Sequence, residues 1–508
     1  MSTYIRAGGY ATTAMIFMTG SAAFADVTSR QVWDDWSGYI RGFGYEMQAT
    51  ENATSGGLEV RDIVMAFQIP EENMTITLKV PEMTFSDNSD GTVSLTLPPV
   101  LPLSIRAEGP DTEDGEAVLE YLTDDFKLTF SGDASDMTYV YSAASLGLTL
   151  ASLMVEGEPV KFDAARLDIA DFSGTGQMKT GNISTAVQDM KSGPVTYEVD
   201  FKDPSGNGNY LLMKGGNESL AMTGTSSFPE NMNIEDIAAA LHGGFSFEGS
   251  YILGAGNMAL DFQEEGATSK VNSTTGGSTL SVAMDENRLL YGGESQNVQM
   301  DFTSSDLPFP VSAAMDKAGF QLKMPISKTE SAQDFALSLT LGNFTMSDMI
   351  WGMFDPEAKL PRDPATVAVD LSGMARLAFD LLDPAQMEAV ESGEQNPGEL
   401  ESVALNSLTV SAAGAKLTGD GAFTFDNSDT TTYDGMPKPI GTINLALTGG
   451  NGLLDALVAM GLLPEDQAMG VRMMMGMFAV PGEGEDALKS QLEFNEAGQI
   501  LANGQRLK

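Results

Sequence analysis

The feature that most constrains this chain is a strict alternation of apolar and polar residues, repeated many times along its length. Between residues 74 and 80 the even positions are apolar, whereas Thr75, Thr77 and Lys79 are polar. Successive side chains point to opposite faces of a β-strand, so each such run predicts a strand with one apolar face and one wet face. Comparable runs are Val93-Leu95-Leu97, Phe126-Leu128-Phe130, Val195-Tyr197-Val199-Phe201, Met258-Leu260-Phe262, Leu280-Val282-Met284, Val298-Met300-Phe302, Phe320-Leu322-Met324-Ile326, Phe335-Leu337-Leu339-Leu341 and Ile443-Leu445-Leu447.

Short turn sequences separate the runs. Asp90-Gly91, Asn207-Gly208, Gly276-Gly277 and Gly292-Gly293 are turn dipeptides, and strands joined by short turns pair as antiparallel meanders. The predicted fold class is therefore mostly β, with a long twisted antiparallel sheet and a few short helices at its ends and edges. The pattern continues without a recognisable linker, which predicts one extended β region at residues 46–450.

The common apolar face of this sheet must either be buried from water in a core or remain available to bind apolar ligands. The sheet can stack as a sandwich, which fills a core, close as a barrel, or curl into a half-open trough whose lining is available to lipid chains. The 31 methionines of the chain are typical of surfaces that accept varied apolar ligands, although the same residues also fill ordinary cores. Periodicity alone does not separate a filled core from a ligand-accepting lining.

The first 25 residues have the three parts of a secretory signal. Arg6 is their one charged residue, residues 14–18 form a short apolar centre, and Ala23-Phe24-Ala25 is a small-x-small cleavage pattern. We expect cleavage after Ala25 and a periplasmic location, with a disordered tail or an uncleaved anchor as the alternatives. We identify no other segment that is apolar for long enough to span a membrane.

Composition is consistent with export. The chain has no cysteine, which is common in long exported proteins and excludes disulfides and thiolate chemistry. Its formal net charge of -44 repels phosphate backbones and anionic headgroups, so we do not expect nucleic acid as a partner.

An amphipathic helix is predicted near the mature N-terminus, at residues 26–45, with Ser29 as its cap. Its aromatic face is expected to pack against the end of the sheet, and binding to a membrane surface is the alternative. The apolar residues at helical spacing are Val32, Trp33, Trp36, Tyr39, Ile40 and Phe43.

Further helices are predicted as insertions in the sheet and at the C-terminus. The insertions lie near residues 233–242, 347–355 and 384–392. Residues 451–508 are predicted to form a helical pair broken at Pro464, followed by a hairpin of residues 488–494 and 500–507.

Several motifs in the second half of the chain resemble the family called domain of unknown function 2125, exported proteins of alphaproteobacteria. The resemblance is carried by Trp351-Gly352-Met353-Phe354-Asp355-Pro356, Leu360-Pro361-Arg362-Asp363-Pro364-Ala365, Asp370-Leu371-Ser372-Gly373, Gly461-Leu462-Leu463-Pro464, Phe478-Ala479-Val480-Pro481-Gly482 and Asn503-Gly504-Gln505-Arg506-Leu507. We expect it to cover nearly the whole mature chain. The family is similar in style to AsmA-like envelope proteins, which implies a long β trough linked to lipid transfer or outer-membrane homeostasis. It brings no catalytic residues to this chain.

The sequence offers no evident catalytic site. His242 is the only histidine, lies at the end of a predicted helix, and is expected to have a capping or exposed role. Glycosidases use two carboxylates in catalysis, and Asp124-Asp125 and Glu264-Glu265 are such pairs. Acidic residues are abundant throughout this chain, however, so these pairs are weak evidence for a glycosidase site. We therefore predict no enzyme activity, no catalytic residue and no cofactor.

Calcium is the one metal considered. Asp87-Asn88-Ser89-Asp90-Gly91 and Asp426-Asn427-Ser428-Asp429 group oxygen ligands closely, but neither matches the twelve-residue EF-hand loop. The same residues are ordinary turn formers, and turns are the favoured interpretation. We predict no metal site.

Three functions are compatible with these features. The favoured one is a non-enzymatic envelope protein that binds or passes lipid or another hydrophobic ligand in an apolar β trough. The alternative is a structural or scaffolding envelope protein with protein partners. A hydrolase based on dispersed carboxylates is the remote third.

Overall fold

The computed structural model describes residues 27–42, 44–69, 73–110, 114–203, 207–230, 232, 236–393 and 396–507. The predicted fold class is confirmed, because the described chain is mostly β, its strands pair antiparallel, and its helices are short. The predicted signal peptide, residues 1–25, lies outside the described residues. The chain divides into two compact units, of which unit 1 comprises residues up to Asn272 with Ser304–Asp306, and unit 2 comprises Ser273–Thr303 and Leu307–Lys508.

The described residues of unit 1 contain two helices and the first seventeen strands, except for the last three residues of β17. The helices are α1 (Ser29–Gly42) and α2 (Ile237–His242). The strands are β1 (Glu46–Thr54), β2 (Gly57–Ile69), β3 (Met74–Asp87), β4 (Val93–Thr96), β5 (Val100–Glu108), β6 (Gly115–Asp124), β7 (Lys127–Asp133), β8 (Asp136–Val155), β9 (Glu158–Pro159), β10 (Phe162–Lys179), β11 (Ile183–Ser192), β12 (Val195–Lys202), β13 (Tyr210–Asn217), β14 (Leu220–Pro229), β15 (Ser246–Leu253), β16 (Gly256–Glu264) and β17 (Ala267–Thr275).

The part of unit 2 that the structure describes contains four helices and the remaining strands, except for the last residue of β19. The helices are α3 (Asp348–Phe354), α4 (Pro384–Glu391), α5 (Gly450–Ala459) and α6 (Glu465–Phe478). The strands are β18 (Gly277–Asp285), β19 (Arg288–Ser304), β20 (Val311–Met324), β21 (Gln333–Met346), β22 (Ala365–Leu377), β23 (Gly398–Ala412), β24 (Ala415–Asp426), β25 (Lys438–Thr448), β26 (Val480–Pro481), β27 (Ala487–Phe494), β28 (Ile500–Ala502) and β29 (Gln505–Arg506).

Long strands of unit 1 are each shared between two sets of neighbours. The first part of β3 pairs with β5 and its last part with β4. Strand β8 likewise pairs with β7 and then β6, and β10 with β12 and then β11. Each of these strands therefore pairs with one neighbour along its first part and with another along its last part.

Helix α1 supplies the centre of the unit 1 core. Trp33 is 1% exposed, and its ring lies 6.2 Å from that of Phe85, which in turn lies 6.3 Å from Phe130. Val32 and Ile40 are buried in the same cluster, as are apolar side chains from strands β2 to β14. The apolar side of the helix thus packs against strands of the sheet, and its expected position at the end of the sheet stays a prediction.

The start of α1 differs from the prediction in its cap. Thr28, not Ser29, caps the helix: the backbone N–H of Gln31 donates to Thr28 Oγ1 at 3.3 Å, and Gln31 Oε1 accepts from the Thr28 N–H at 2.9 Å. This reciprocal pair is a capping box. Ser29 instead donates through both its N–H and its hydroxyl to Asp87 at the end of β3, each at 2.7 Å.

One predicted turn is wrong. Gly292-Gly293 lies inside β19 and pairs with Ser281 and Leu280 of β18, and the actual turn is at Glu286-Asn287. A Cβ on Gly293 would meet the Thr279 carbonyl oxygen at 3.2 Å, so close approach of neighbouring strands accounts for glycine there.

The hairpin predicted with residues 500–507 as its second arm also differs. Its second arm folds back at Asn503-Gly504, where both residues have positive φ (49° and 80°), and forms the additional short pair β28–β29. Asn-Gly with positive φ at both positions is the sequence that two-residue hairpins favour.

We predict that Trp33→Ala destabilises the protein by about 3–5 kcal/mol, because it removes the largest buried side chain that α1 contributes. The measurement is urea unfolding followed by circular dichroism. The matched control is Asp34→Ala, an exposed neighbour on the same helix, which should change stability by no more than about 0.5 kcal/mol. Equal effects of the two substitutions would contradict the packing described for α1.

Asp35 gives a second prediction for this helix. Its Oδ1 accepts from the Thr180 hydroxyl at 3.1 Å, its Oδ2 is buried without a partner among the described residues, and burial raises the pKa of its carboxyl. A raised pKa means that the folded state binds the proton more tightly, so this group costs stability as pH rises from the ordinary carboxyl value through its own. Asp35→Asn should therefore be more stable than wild type at neutral pH. The difference should vanish in acid, which unfolding at both pH values would measure.

Candidate ligand-binding face

The strands of unit 2 align their apolar positions in rows across the sheet. Residues paired on neighbouring antiparallel strands lie on the same face, so each row is a contiguous apolar band. The bands on strands β19 to β23 are Tyr291–Leu322–Leu337–Leu371–Leu405, Gly293–Phe320–Leu339–Val369–Leu408 and, starting at β20, Ala318–Leu341–Val367–Val410.

Many of these side chains are exposed to solvent. Leu337 is 44% exposed and Leu339 41%, and Tyr291 and Phe320 have their rings in contact at 5.1 Å while remaining 46% and 41% exposed. We call this surface the apolar face. Its exposed members are Tyr291, Phe320, Leu322, Leu337, Leu339, Leu341, Val367 and Val410.

The opposite face of the same strands is charged. Lys317 forms an ion pair of 2.5 Å with Glu294, and Lys323 pairs with Asp334. These residues occupy the alternate positions of β19, β20 and β21, so they point away from the apolar face. The sheet of unit 2 is therefore amphipathic, and solvent reaches both of its sides.

Left-handed residues coincide with changes in the phase of the alternation. In β21 the apolar residues are at odd positions up to Leu341 and at even positions from Phe344, and Asn343 between them has φ 54°. In β19 the same change from odd to even occurs around Asn297, with φ 49°. Asparagine adopts this conformation more readily than most residues. Such irregularities in a strand re-aim the side chains that follow them.

In unit 1 a helix, α1, packs on the apolar side of the strands. The space left among Trp36, Tyr39, Tyr139 and other residues beneath α1 is only about 20 Å³, room for about one water molecule. Packing against α1 thus leaves little free space beneath this helix. The rows of the apolar face of unit 2 remain exposed to solvent, and this face is the candidate site.

The residues considered for catalysis do not converge. His242 ends α2, is exposed, and its Nδ1 lies 2.8 Å from the Ala238 carbonyl oxygen. Asp125 and Glu265, one from each carboxylate pair, both have positive φ in the turns after β6 and β16. These carboxylates belong to local turns.

The segments considered for calcium have local partners. Asp90 Oδ1 accepts from the Thr92 hydroxyl at 2.7 Å, and Lys438 Nζ lies 3.3 Å from Asp426 Oδ2 and 3.2 Å from Asp429 Oδ2. Hydrogen bonds from Thr432, followed by Lys438, hold the pKa of Asp429 well below its usual range. An ammonium group therefore lies where a cation would bind Asp426 and Asp429. Within the described residues no group of three or more His, Cys, Asp or Glu could hold a metal ion.

Sequence reasoning missed the structural role of Asp355. Its side chain is 1% exposed, Oδ1 accepts from the Lys359 N–H at 2.8 Å, and Oδ2 accepts from the Leu360 N–H at 2.9 Å. Burial alone would raise the pKa of this carboxyl, but the N–H donors of Leu360 and Lys359 outweigh it and lower the pKa. Asp355 thus fixes the loop after α3, whereas the sequence suggested only that it ends the helix.

Comparisons with known proteins give one family. The family model described as an uncharacterized protein conserved in bacteria (DUF2125) matches residues 249–504, a narrower range than the nearly complete coverage expected. No curated protein matches the chain. A crystal structure of the ferric citrate transporter FecA in the unliganded form covers 91% of this chain and 76% of its own, at 7% identity and a TM-score of 0.15. That similarity is too low to carry an argument. Of the helices in the described ranges, none has the length and apolarity needed to span a membrane.

We predict that Asp355→Asn loosens the loop of residues 355–360 and lowers stability at neutral pH, since an amide cannot accept both N–H groups as the carboxylate does. A lowered pKa means that the contribution of Asp355 is present above the ordinary carboxyl value and is lost as pH falls through its own pKa. The stability difference between wild type and variant should therefore shrink in acid. Thermal unfolding at neutral and acid pH measures it, and a difference that grows in acid would contradict this role.

Proposed function

The chain belongs to the DUF2125 family, and we propose that it is a non-enzymatic cell-envelope protein that binds a lipid or another hydrophobic ligand on the apolar face of unit 2. The observation that carries the proposal is the exposure of large apolar side chains in adjacent rows. Eight such side chains, each about two-fifths exposed, amount to a patch on the order of 600 Å², the upper end of what a soluble monomer exposes. Patches of this size commonly mark binding surfaces.

The dimensions of the apolar face suit an acyl chain. Neighbouring strands are about 4.8 Å apart, so the rows on β19 to β22 extend about 15 Å across the strands. That length is comparable with one leaflet of a bilayer whose hydrocarbon core is about 30 Å thick. The aliphatic and aromatic rows can contact an acyl chain along its whole length. The ion pairs of the opposite face keep that side of the sheet hydrated.

The envelope location rests on the sequence. The first 25 residues resemble a secretory signal, and the chain has no cysteine. An exposed apolar face is also more useful where membranes and their lipids are close. We therefore propose export to the periplasm, with cleavage after Ala25.

A scaffolding role is the second candidate. Helix α1 covers the apolar face of unit 1 with Trp33 and Ile40. An amphipathic helix of a partner protein would cover the apolar face of unit 2 by the same physics. In that case the face would take up protein and not lipid.

We predict that the double variant Leu337→Asn/Leu339→Asn binds a fluorescent fatty acid at least tenfold more weakly than wild type, because it places amides under the acyl chain. The protein is residues 26–508, purified without detergent and examined by native mass spectrometry for bound lipid before titration. The matched control is Ser338→Asn/Thr340→Asn, which carries the same amides on the opposite face of the same strand. The control should bind as wild type does.

Two outcomes would count against lipid binding. Wild-type protein that carries no lipid and refuses added fatty acid would leave the scaffolding role, and crosslinking in cells would then identify partners. Equal losses in the two double variants would mean that strand β21 was damaged and that the apolar face is not the site. Circular dichroism on wild type and both double variants separates damage from loss of contact.

A further inference from the structure

A second exposed apolar surface lies at one end of the unit 2 strands. Helix α3 connects β21 to β22, and helices α5 and α6 lie in the connection from β25 to β27. The register places both connections at the same strand ends: Phe344 pairs with Ala365, Thr366 with Ser411, Ala412 with Ala415, Lys416 with Thr448, and Thr448 with Ala487. A hydrogen bond of 2.8 Å from Lys359 Nζ to the Ala459 carbonyl oxygen ties the two connections together.

Methionines dominate the exposed sides of α3 and α6. Met349 and Met353 of α3 are 49% and 69% exposed, and Met469, Met473 and Met477 of α6 are 60%, 67% and 59% exposed. Spacing of four residues places each set on one side of its helix. We call these five residues the methionine surface. Single exposed apolar residues are ordinary, but two rows of them at the same strand ends indicate an interaction surface.

Charge distinguishes among possible occupants. The whole chain carries a formal net charge of -44, so a second copy and an anionic lipid surface are both repelled. Arg472 is the one basic residue of α6, and it is paired with Asp455 at 2.5 Å. The methionine surface therefore has apolar contact to offer but no free cation on α6 for a phosphate. A bilayer of zwitterionic phospholipid supplies apolar contact without net negative charge.

The position of the methionine surface adds a second argument. Leu341, Val367 and Val410 form the row of the apolar face nearest to these strand ends, and all three are exposed. Only Ser347 separates β21 from α3. The exposed apolar residues of the face and of the helices thus come close together along the chain. Unbranched, flexible methionine side chains suit an irregular boundary such as the edge of the acyl region.

We propose that the methionine surface docks this end of unit 2 onto the surface of a zwitterionic phospholipid bilayer. The inference rests on the proposed function, because docking places the end of the apolar face where a lipid can move onto it. The methionine surface is attracted to the bilayer by apolar contact, and the negative charge of the chain is repelled by anionic lipid. Added salt should therefore strengthen binding to vesicles that contain anionic lipid, the reverse of what a basic peripheral protein does.

The test is flotation of the mature chain with phosphatidylcholine vesicles and with vesicles that also contain phosphatidylglycerol. The triple variant Met469→Gln/Met473→Gln/Met477→Gln should bind phosphatidylcholine at least tenfold more weakly than wild type. The matched control is Met436→Gln, since Met436 is 64% exposed but lies in the connection from β24 to β25, at the opposite strand ends. The control should float as wild type does, and wild type should prefer the vesicles without anionic lipid.

Three results would overturn the docking proposal. In the first, the triple variant floats as wild type does. In the second, the triple variant and Met436→Gln lose flotation equally. In the third, wild type floats with neither kind of vesicle. A wild-type dimer that the triple variant converts to monomer, without flotation, would belong to the third case and assign the surface to self-association.

Fatty-acid titration of the triple variant in solution keeps the two proposals apart. Normal uptake with lost flotation supports docking and leaves the proposed function intact. Flotation that depends on the methionines, in a protein that takes up no fatty acid, would reject the function and retain the docking.

Discussion

The structure depends on how an amphipathic sheet disposes of its apolar side. Each strand presents one face that water does not solvate well, and the free energy gained by covering it grows with the area removed from water. In unit 1 the cover is α1, whose Trp33 is 1% exposed against Phe85 and neighbouring strands. In unit 2 comparable rows keep Leu337 and Leu339 more than two-fifths exposed. The contrast between a covered and an uncovered face is the basis of the proposed function.

In several long strands the apolar positions change from even to odd or from odd to even, and a small polar residue with left-handed backbone lies at each change. In β2 the buried positions change from even, at Val60, to odd, at Ile63, across Asp62, whose φ is 51°. In β10 a similar change occurs at Asp171, with φ 50°. Asn297 and Asn343 lie at the corresponding changes in unit 2. Aspartate and asparagine serve here because they tolerate left-handed backbone and hydrogen-bond locally.

Local patterns predicted much of the fold, and nonlocal contacts were beyond them. The period of two predicted strand after strand, and Pro464 correctly marked the boundary of α6. Gly292-Gly293 misled because glycine signals both turns and close strand approach, and only the neighbours Thr279 and Phe320 decide which. Exposure of the apolar face could not be read from the sequence, since alternation is the same whether a face is covered or not. The role of Asp355 likewise became evident only from the loop geometry. Its carboxylate accepts hydrogen bonds from the N–H groups of Lys359 and Leu360, four and five residues later in the chain.

The end of the unit 2 sheet has a consequence for solubility at high concentration. Beyond β27 the ladder ends in the two-residue strands β26 and β29, with Pro481 in the first and Arg506 in the second. Proline cannot donate to a further strand, and a short charged edge is a poor template for one. A protein that presents apolar rows to solvent would otherwise be prone to grow into fibres by adding copies edge to edge. The blunted edge, together with mutual repulsion of acidic chains, opposes that polymerisation while leaving the apolar rows accessible.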